Sequence, residues 1–323
     1  MKYNLVMDAG GTKTNVLLLD SDYLPVAGVT TGSLRDYSSD GTTGRQNLIE
    51  LCEKLEGLGL REIESFCGVC PMQKSAFESF SDRFHIRNLY LVMENDIGLA
   101  AALIPNSSAG TLMLSGTGCG IYSRIKENDH RFTGGYGAAF SDIGSGYYIG
   151  REAFIAAEKD FEGFGKKTVL TEKIASFLGY EKLNEAIFQG VFGSKSTKTP
   201  TSVVASFAGL VSEAAREGDE VALAILTDAG KIVGEMTVAH RRRYALSDEV
   251  PITYSGGVWH AHPIFRETAI STVLAALPAS RIVDPLLEPI GGAVAFMRMA
   301  EKGENEDLRP FFEKNYPKWL YRP

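Results

Sequence analysis

The chain has 323 residues, 44% of them hydrophobic, and a formal net charge of −7 at pH 7. A chain of this length can bury a large core and is long enough for two domains. The acidic balance argues against a nucleic-acid partner, because such a partner calls for a basic surface. The one basic cluster, Arg241-Arg242-Arg243, lies in a helical context, where we expect a solvated face.

Neither a membrane anchor nor a disulfide framework is expected. No run of residues approaches the roughly 18 apolar residues of a membrane span, and the first residues lack the apolar region of a signal peptide. We therefore expect a cytoplasmic protein with no membrane partner. The cysteines, Cys52, Cys67, Cys70 and Cys119, predict reduced thiols. The Cys67-Gly-Val-Cys70 spacing leaves open a redox pair, a cluster ligand or small buried residues at a strand end.

Residues 5–19 place two short apolar runs on either side of the turn Asp8-Ala9-Gly10-Gly11-Thr12-Lys13-Thr14. Each run has the length of a strand, and the glycines let the backbone reverse between them. Such a turn can present amides and a hydroxyl to phosphate, while Asp8 can reach a phosphate-bound Mg²⁺ through water. An ordinary tight turn explains the pattern equally well, and the P-loop and dinucleotide spacings are missing.

Strands and helices alternate after this hairpin. The pattern predicts strands over 26–31, 63–69 and 88–93 and helices over 44–58, 75–83 and 97–103. A polar loop after the third strand contains Arg35 and Asp36. Asn95 and Asp96 follow the strand 88–93, and an acid at the carboxyl end of a strand is a common functional placement in open α/β sheets. Asp96 fits a helix cap equally well.

The opening hairpin recurs at 111–124, around the turn Ser115-Gly116-Thr117-Gly118. Two such hairpins suggest two similar lobes facing a nucleotide, with a boundary in the loop 106–110. A dense group of glycines then spans 134–146, just before a helix predicted over 147–159. Ordering so much glycine is costly unless the backbone approaches a ligand closely. Asp142 in this segment is suited to bind ligand hydroxyls.

The C-terminal half is mostly scaffold. Helices are predicted over 168–178, 183–191, 201–217 and 219–246, a linker over 193–200, a last strand over 282–286 and a final helix ending near 302. The strand 251–258 runs into Gly256-Gly257, a third candidate for close approach to a ligand. His260 and His262 fit a turn or a cap better than a metal site. The aromatic tail over 308–323 is expected to dock, because it is costly to leave in water.

The separate motifs fall into one order, from Asn4 to Met299. They are Asp8-x-Gly-Gly-Thr-Lys-Thr, Asn95-Asp96, Ser115-Gly116-Thr117-Gly118, Gly135-Tyr136-Gly137 with Asp142 and Arg151, Gly256-Gly257-Val258 and Gly291-Gly292-Ala293. In this order the chain resembles N-acetylglucosamine kinases, which belong with the BadF/BadG/BcrA/BcrD ATPases in the actin, sugar kinase and Hsp70 superfamily.

The resemblance implies an α/β fold with two ribonuclease H-like (actin-like ATPase) lobes and an interlobe cleft for ATP and sugar. The expected division is an N-terminal lobe over 1–108, a C-terminal lobe with a helical insertion over 109–303, and an aromatic tail over 304–323 docked on a lobe or a partner subunit. A homodimer is also expected from the resemblance.

The resemblance also assigns roles by position. Asp96 matches the catalytic base, and Asp8 matches the residue that organises Mg²⁺. The nucleotide-binding residues implied are Gly10, Gly11, Thr12, Lys13, Thr117, Gly118, Gly256 and Gly257. The sugar-binding residues implied are Arg35, Asp36, Asn95, Asp96, Gly135, Tyr136, Gly137 and Asp142.

The implied activity is transfer of phosphate from ATP, with Mg²⁺, to the 6-hydroxyl of an amino sugar, foremost N-acetylglucosamine. The loop after the third strand offers Arg35 or Asp36 where the family often has Asn. An Arg facing the sugar would favour N-acetylmuramic acid, with its carboxylate, as an alternative substrate, and glucosamine is another. Tyr136 replaces the usual Trp, and Cys119 replaces a Ser. An ATPase that serves an electron-transfer partner through an iron–sulfur cluster stays open as a different class, as does a sensing module.

Overall fold

The computed structural model of the chain describes residues 2–11, 13–34, 42–69, 74–103, 109–126, 129–187, 189, 200–302 and 307–322. The described chain forms two compact units. The first unit combines residues up to Gly110 with Val283–Arg322, and the second is Thr111–Ile282. No helix within these ranges is both long and apolar enough to cross a membrane.

The strands of the described chain form two sheets. They are β1 (Asn4–Ala9), β2 (Lys13–Leu19), β3 (Pro25–Gly32), β4 (Ser65–Gly68), β5 (Asn88–Leu91), β6 (Gly110–Ser115), β7 (Cys119–Lys126), β8 (Asp129–Gly134) and β9 (Ile252–Ser255). The helices are α1 (Thr42–Gly57), α2 (Lys74–Phe84), α3 (Glu94–Ala102), α4 (Gly146–Phe161), α5 (Leu170–Phe177), α6 (Leu183–Ala186), α7 (Pro200–Arg216), α8 (Glu220–Arg243), α9 (Pro263–Ala276), α10 (Pro289–Lys302) and α11 (Arg309–Asn315).

The first sheet has the order β3-β2-β1-β4-β5. β1 pairs antiparallel with β2, and β2 with β3, so the opening hairpin is confirmed. β4 lies parallel to β1 and β5 parallel to β4. Both faces of β1 are buried: Leu5 and Met7 lie in one core cluster and Val6 in the other. This follows from the alternation of side chains along a strand, since the sheet is covered on both sides.

The second sheet has the order β8-β7-β6-β9 and repeats the arrangement of the first four strands of the first sheet. β7 pairs antiparallel with β8, and β9 lies parallel to β6. The predicted last strand over 282–286 is wrong as a strand, because Ile282 makes only one isolated parallel bridge, to Ile252. Two elements here were not predicted from the sequence, β8 and α9.

The C-terminal segment packs into the first unit. Phe312 and Tyr316 are fully buried in the cluster that contains Val6 and residues of α10. The observed units divide at Gly110 and Ile282, whereas the sequence-based division is at 108 and 303. The second boundary differs because burial of these apolar side chains draws α10 and the aromatic tail to the first sheet.

Arg241 was expected on a solvated face, and that prediction is wrong. Its side chain is buried, and its guanidinium donates to the carbonyl oxygens of Val250 (3.0 Å) and Ser247 (2.6 Å) and to the Thr111 hydroxyl (3.2 Å). A buried guanidinium needs such acceptors, since an unpartnered buried charge is very costly.

Candidate active site

Two carboxylates lie at one edge of the first sheet. Asp8 is next to last in β1, and Asp96 lies in the first turn of α3, directly after β5. β1, β4 and β5 are parallel, so their carboxyl ends share this edge. The ladder continues to the edge, where the Val92 amide donates to the Gly68 carbonyl (3.1 Å). Two strand spacings, about 10 Å, separate the axes of β1 and β5.

Asp96 is buried, with 7% of its surface exposed, and it is not the helix cap. The N-cap position is Met93, which has extended backbone, and the Asp96 amide donates to the Met93 carbonyl (3.0 Å). The alternative of a purely capping aspartate is therefore wrong. Glu94 and Asp96 both stand in the first helical turn, where the helix dipole favours negative charge. Asn95 is half-buried beside them.

A glycine contact fixes α3 against α10. A Cβ on Gly292 would overlap the carbonyl oxygen of Ile97, the residue that follows Asp96. It would also come within 3.0 Å of the Ala101 amide nitrogen. Only glycine lets the two helices approach this closely. The Gly291-Gly292-Ala293 motif thus acts in the first unit as a packing motif that holds the helix bearing Asp96.

Side chains support the turn between β1 and β2. The Gly10 amide donates to the Lys13 carbonyl (2.9 Å), which closes the turn. The Ser33 hydroxyl donates to the Gly10 carbonyl (2.8 Å), and the Asn47 side chain donates to the Ser33 carbonyl (2.8 Å). Ser33 and Asn47 were not singled out from the sequence. Three predicted site residues lie outside the described ranges: Thr12, Arg35 and Asp36.

Backbone groups support the turn between β6 and β7. The Gly116 amide donates to the Gly118 carbonyl (2.9 Å), and the Gly146 amide, at the start of α4, donates to the Gly116 carbonyl (2.7 Å). The Ser115 hydroxyl donates to the Gly144 carbonyl (2.8 Å). The glycine-rich segment before α4 therefore lies directly against this turn, which carries Thr117.

Asp142 anchors the glycine-rich segment to the same turn. It is buried, has a positive φ of 57°, and accepts a hydrogen bond from the Cys119 amide (3.3 Å). Burial raises the pKa of its carboxyl, while hydrogen bonds from the amides of Cys119 and Gly137 act in the opposite direction. A Cβ on Gly118 would lie 3.1 Å from this carboxylate. A further role of Asp142 toward a sugar stays a prediction.

Gly256 makes a close backbone approach to the turn between β6 and β7. Its φ is 110°, and a Cβ there would overlap the Ser115 carbonyl oxygen, so glycine is required. Because β6 and β9 are parallel, the Ser115 and Gly256 turns meet at one edge of the sheet. Gly257 is exposed and begins a 3-10 turn, Gly257–His260. His262 caps α9 by accepting from the Ile264 amide (3.2 Å), as the cap interpretation predicts.

The segment after β8 is exposed. Gly134, Gly135 and Gly137 have positive φ, and Tyr136 has 77% of its surface exposed. Phe140, in the same segment, is 91% exposed. These two aromatic side chains are accessible to a ligand, and the substrate-binding role of residues 135–137 stays a prediction.

The cysteines do not form a recognisable metal site in the described chain. Cys67 and Cys119 are buried free thiols, and Cys70 lies outside the described ranges. Burial, helped by Asp142, raises the pKa of Cys119 to about 12, and burial also raises the pKa of Cys67. Metal ligation needs a thiolate, which a raised pKa disfavours. Within the described part of the chain, no group of three or more His, Cys, Asp or Glu residues could hold a metal ion.

Comparison with known proteins supplies the family. The model of the BadF/BadG/BcrA/BcrD ATPase family matches residues 7–296. The chain belongs to this family. It is 33% identical, over 72% of its own length and 76% of the relative's, to an N-acetylmuramic acid/N-acetylglucosamine kinase of Clostridium acetobutylicum. It is 26% identical, over 60% of each chain, to an N-acetyl-D-glucosamine kinase of Dictyostelium discoideum.

The fold has a solved counterpart. The crystal structure of a candidate N-acetylglucosamine kinase from Chromobacterium violaceum superposes with a TM-score of 0.66 at 23% identity, over 91% of this chain and 98% of that one. The predicted α/β class with two lobes is confirmed, as is recognition of the chain as an N-acetylglucosamine kinase-like member of its family. The prediction of a sugar kinase agrees with the names of these relatives.

Proposed function

We propose that this chain transfers the γ-phosphoryl group of ATP to the 6-hydroxyl of an N-acetylated hexosamine, with Asp96 as the general base. The observation that carries the proposal is the buried Asp96 at the carboxyl edge of the first sheet, in a chain one third identical to an N-acetylmuramic acid/N-acetylglucosamine kinase. N-acetylglucosamine and N-acetylmuramic acid are both proposed as substrates, the latter through its carboxylate and Arg35.

Asp96 acts on the sugar hydroxyl. As the sugar oxygen forms its bond to the γ-phosphorus, the bond from that phosphorus to the leaving ADP oxygen breaks, and the hydroxyl proton passes to the Asp96 carboxylate. Asp96 lies in the first turn of α3, and the close contact between Gly292 and Ile97 fixes the helix backbone that carries this carboxylate. A positioned base is more effective because the reacting geometry is set in advance.

The turn between β1 and β2 is suited to offset charge on the transferring phosphoryl group. It carries the exposed Lys13, whose ammonium group can bind phosphate oxygens. Asp8 fits Mg²⁺, because a half-buried carboxylate at the sheet edge provides the oxygen ligand that this ion prefers. The ion, when bound, would neutralise phosphate charge, and Asp8 would hold it through water. The homodimer and the cytoplasmic location implied by the resemblance are part of this proposal.

The test is ADP release with ATP and Mg²⁺ across N-acetylglucosamine, N-acetylmuramic acid, glucosamine, N-acetylmannosamine and glucose. We expect release only with N-acetylated amino sugars, with a product phosphorylated at the 6-oxygen by NMR. ADP release that is independent of every sugar, or phosphate at another oxygen, would overturn the proposal. An iron assay of the purified protein separates the first of these outcomes from the electron-transfer ATPase.

A further inference from the structure

One face of α8 runs along the last residues of β8. Met236 and His240 in α8 and Tyr244, the C-cap residue that follows it, are spaced four residues apart, so their side chains share one face. Here they are called the α8 stripe. They meet three consecutive residues of β8 in reverse order.

Each member of the α8 stripe makes a specific contact. The Met236 methyl group would lie 2.6 Å from a Cβ on Gly134, so it packs against the bare glycine. The His240 Nδ1 atom and the Thr133 hydroxyl are 2.9 Å apart. The Tyr244 hydroxyl donates to the carbonyl of Phe132 (3.0 Å), and its ring packs edge-on against His240. The α8 stripe thus contacts the last three residues of β8 in succession and holds the end of this strand.

His240 also connects the end of β8 to the other strands of the sheet through hydrogen bonds. Its Nε2 atom is 2.9 Å from the Ser123 hydroxyl in β7, which is 2.8 Å from the Thr111 hydroxyl in β6. His240, Ser123 and Thr111 are all fully buried. Burial, followed by the charges of Arg241 and Arg243, lowers the pKa of His240 to about 4. The neutral ring has one donor and one acceptor nitrogen, which suits a bridge between two hydroxyls.

The contacts of the α8 stripe with β8 end where the exposed segment 135–137 begins. Gly134 is the last residue of β8, and Gly135, Tyr136 and Gly137 follow it. The glycines have positive φ, and at the far end of the segment the Gly137 amide donates to the Asp142 carboxylate. At the near end, the direction in which the segment leaves the sheet is set by how firmly residues 132–134 are held.

We propose that the α8 stripe, through the His240–Thr133 hydrogen bond, fixes the direction of residues 135–137 and so sets the affinity for the sugar. His240 and Thr133 are positioning residues in this proposal, since they act through the backbone of the segment and need not touch the sugar. The proposal rests on the proposed function for the identity of the ligand. It adds the determinant of sugar affinity within the second unit.

The test removes one hydroxyl and keeps its shape. Thr133→Val should raise the KM for the sugar about tenfold, the size of one lost hydrogen bond, with kcat and the KM for ATP within about threefold of wild type. Thr133→Ser restores the hydroxyl and should restore the sugar KM. The matched control is Thr237→Val, which removes a buried hydroxyl of α8 that donates within the helix, to the Val233 carbonyl (2.8 Å).

Hydrogen exchange of the peptide covering 134–143 provides a readout that needs no sugar. Exchange should quicken in Thr133→Val and stay at the wild-type rate in Thr133→Ser and Thr237→Val. An unchanged sugar KM and unchanged exchange in Thr133→Val would overturn the positioning role. A rise in sugar KM that Thr237→Val reproduces would also overturn it, as a general loss of stability. If wild type phosphorylates no sugar, the proposed function fails, and the exchange result still decides whether Thr133 holds the segment.

Discussion

The glycine turn between β1 and β2 and the one between β6 and β7 connect equivalent strands of the two sheets, yet different groups support them. In the first unit, side chains hold the turn, because Ser33 donates to Gly10 and Asn47 donates to Ser33. In the second unit the Ser115 hydroxyl and the Asp142 carboxylate also contribute, but close backbone contacts dominate, because Gly146 donates to Gly116 and Gly256 lies against the Ser115 carbonyl.

This difference has an energetic consequence. A side-chain hydrogen bond can be lost for about 1 kcal/mol, whereas a close backbone contact leaves no room for any side chain. The second turn should therefore tolerate substitution far less than the first. Its geometry depends on glycines that the sequence alone marks only as possible ligand contacts.

The largest effect is expected from Gly256→Ala. The methyl group would overlap the Ser115 carbonyl in a backbone conformation of positive φ, so we expect a loss of more than about 3 kcal/mol in the free energy of unfolding. Gly257→Ala is the matched control, since its Cβ would meet no atom within 4 Å. Urea unfolding measures both. Equal, small losses in the two variants would show that the backbone contact does not support the turn.

Acid should weaken the second unit before the first. The folded state holds His240 neutral with a pKa of about 4, while an unfolded histidine titrates near 6.5, so the unfolded state binds more protons between these values. Stability from this group is present above pH 6.5 and falls by up to about 3 kcal/mol as the pH approaches 4. The first unit's one histidine, His85, is exposed.

Urea unfolding between pH 7 and pH 4.5, followed by hydrogen exchange in each unit, checks this prediction. His240→Gln, which retains a donor and an acceptor, should flatten the pH dependence. A pH profile identical in wild type and His240→Gln would mean that the imidazole does not supply it.

The smallest effect is expected from Ser33→Ala. It removes the hydroxyl that donates to Gly10, and we expect a loss of about 1 kcal/mol in the free energy of unfolding with a modest rise in the KM for ATP. Thermal unfolding and ATP titration of kinase activity measure the two quantities. A loss as large as that of Gly256→Ala would erase the contrast between the turns.

Local signals in the sequence predict much of the fold. Both opening hairpins are predicted because short apolar runs and glycine turns lie close together in the chain. β8 was missed because Asp129–Gly134 is polar and lacks an apolar run. α9 was missed although His262 and Pro263 mark its start, the former as a cap and the latter as a first-turn proline. The placement of α10 in the first unit depends on packing between distant segments, which local patterns do not contain.

Some residues of the candidate site could likewise be predicted from local signals in the sequence, and others could not. Asp8 and Asp96 were predictable, since each follows an apolar run that ends at a strand edge. Ser33, Asn47 and His240 were not, because their partners lie far away in the sequence. The solvated-face prediction failed for Arg241 for the same reason, although Arg242 and Arg243 are exposed. The carbonyl groups that satisfy a buried guanidinium are known only once the chain has folded.

The most direct test of the central claim is the turnover of Asp96→Asn with N-acetylglucosamine, N-acetylmuramic acid and saturating ATP. Glu94→Gln, in the same helical turn, controls for the loss of an acidic group there. We predict that Asp96→Asn lowers kcat by a factor of about 10² to 10⁴ with little change in the sugar KM, while Glu94→Gln stays near wild type. Turnover of Asp96→Asn within about threefold of wild type would contradict the assignment of Asp96 as the base.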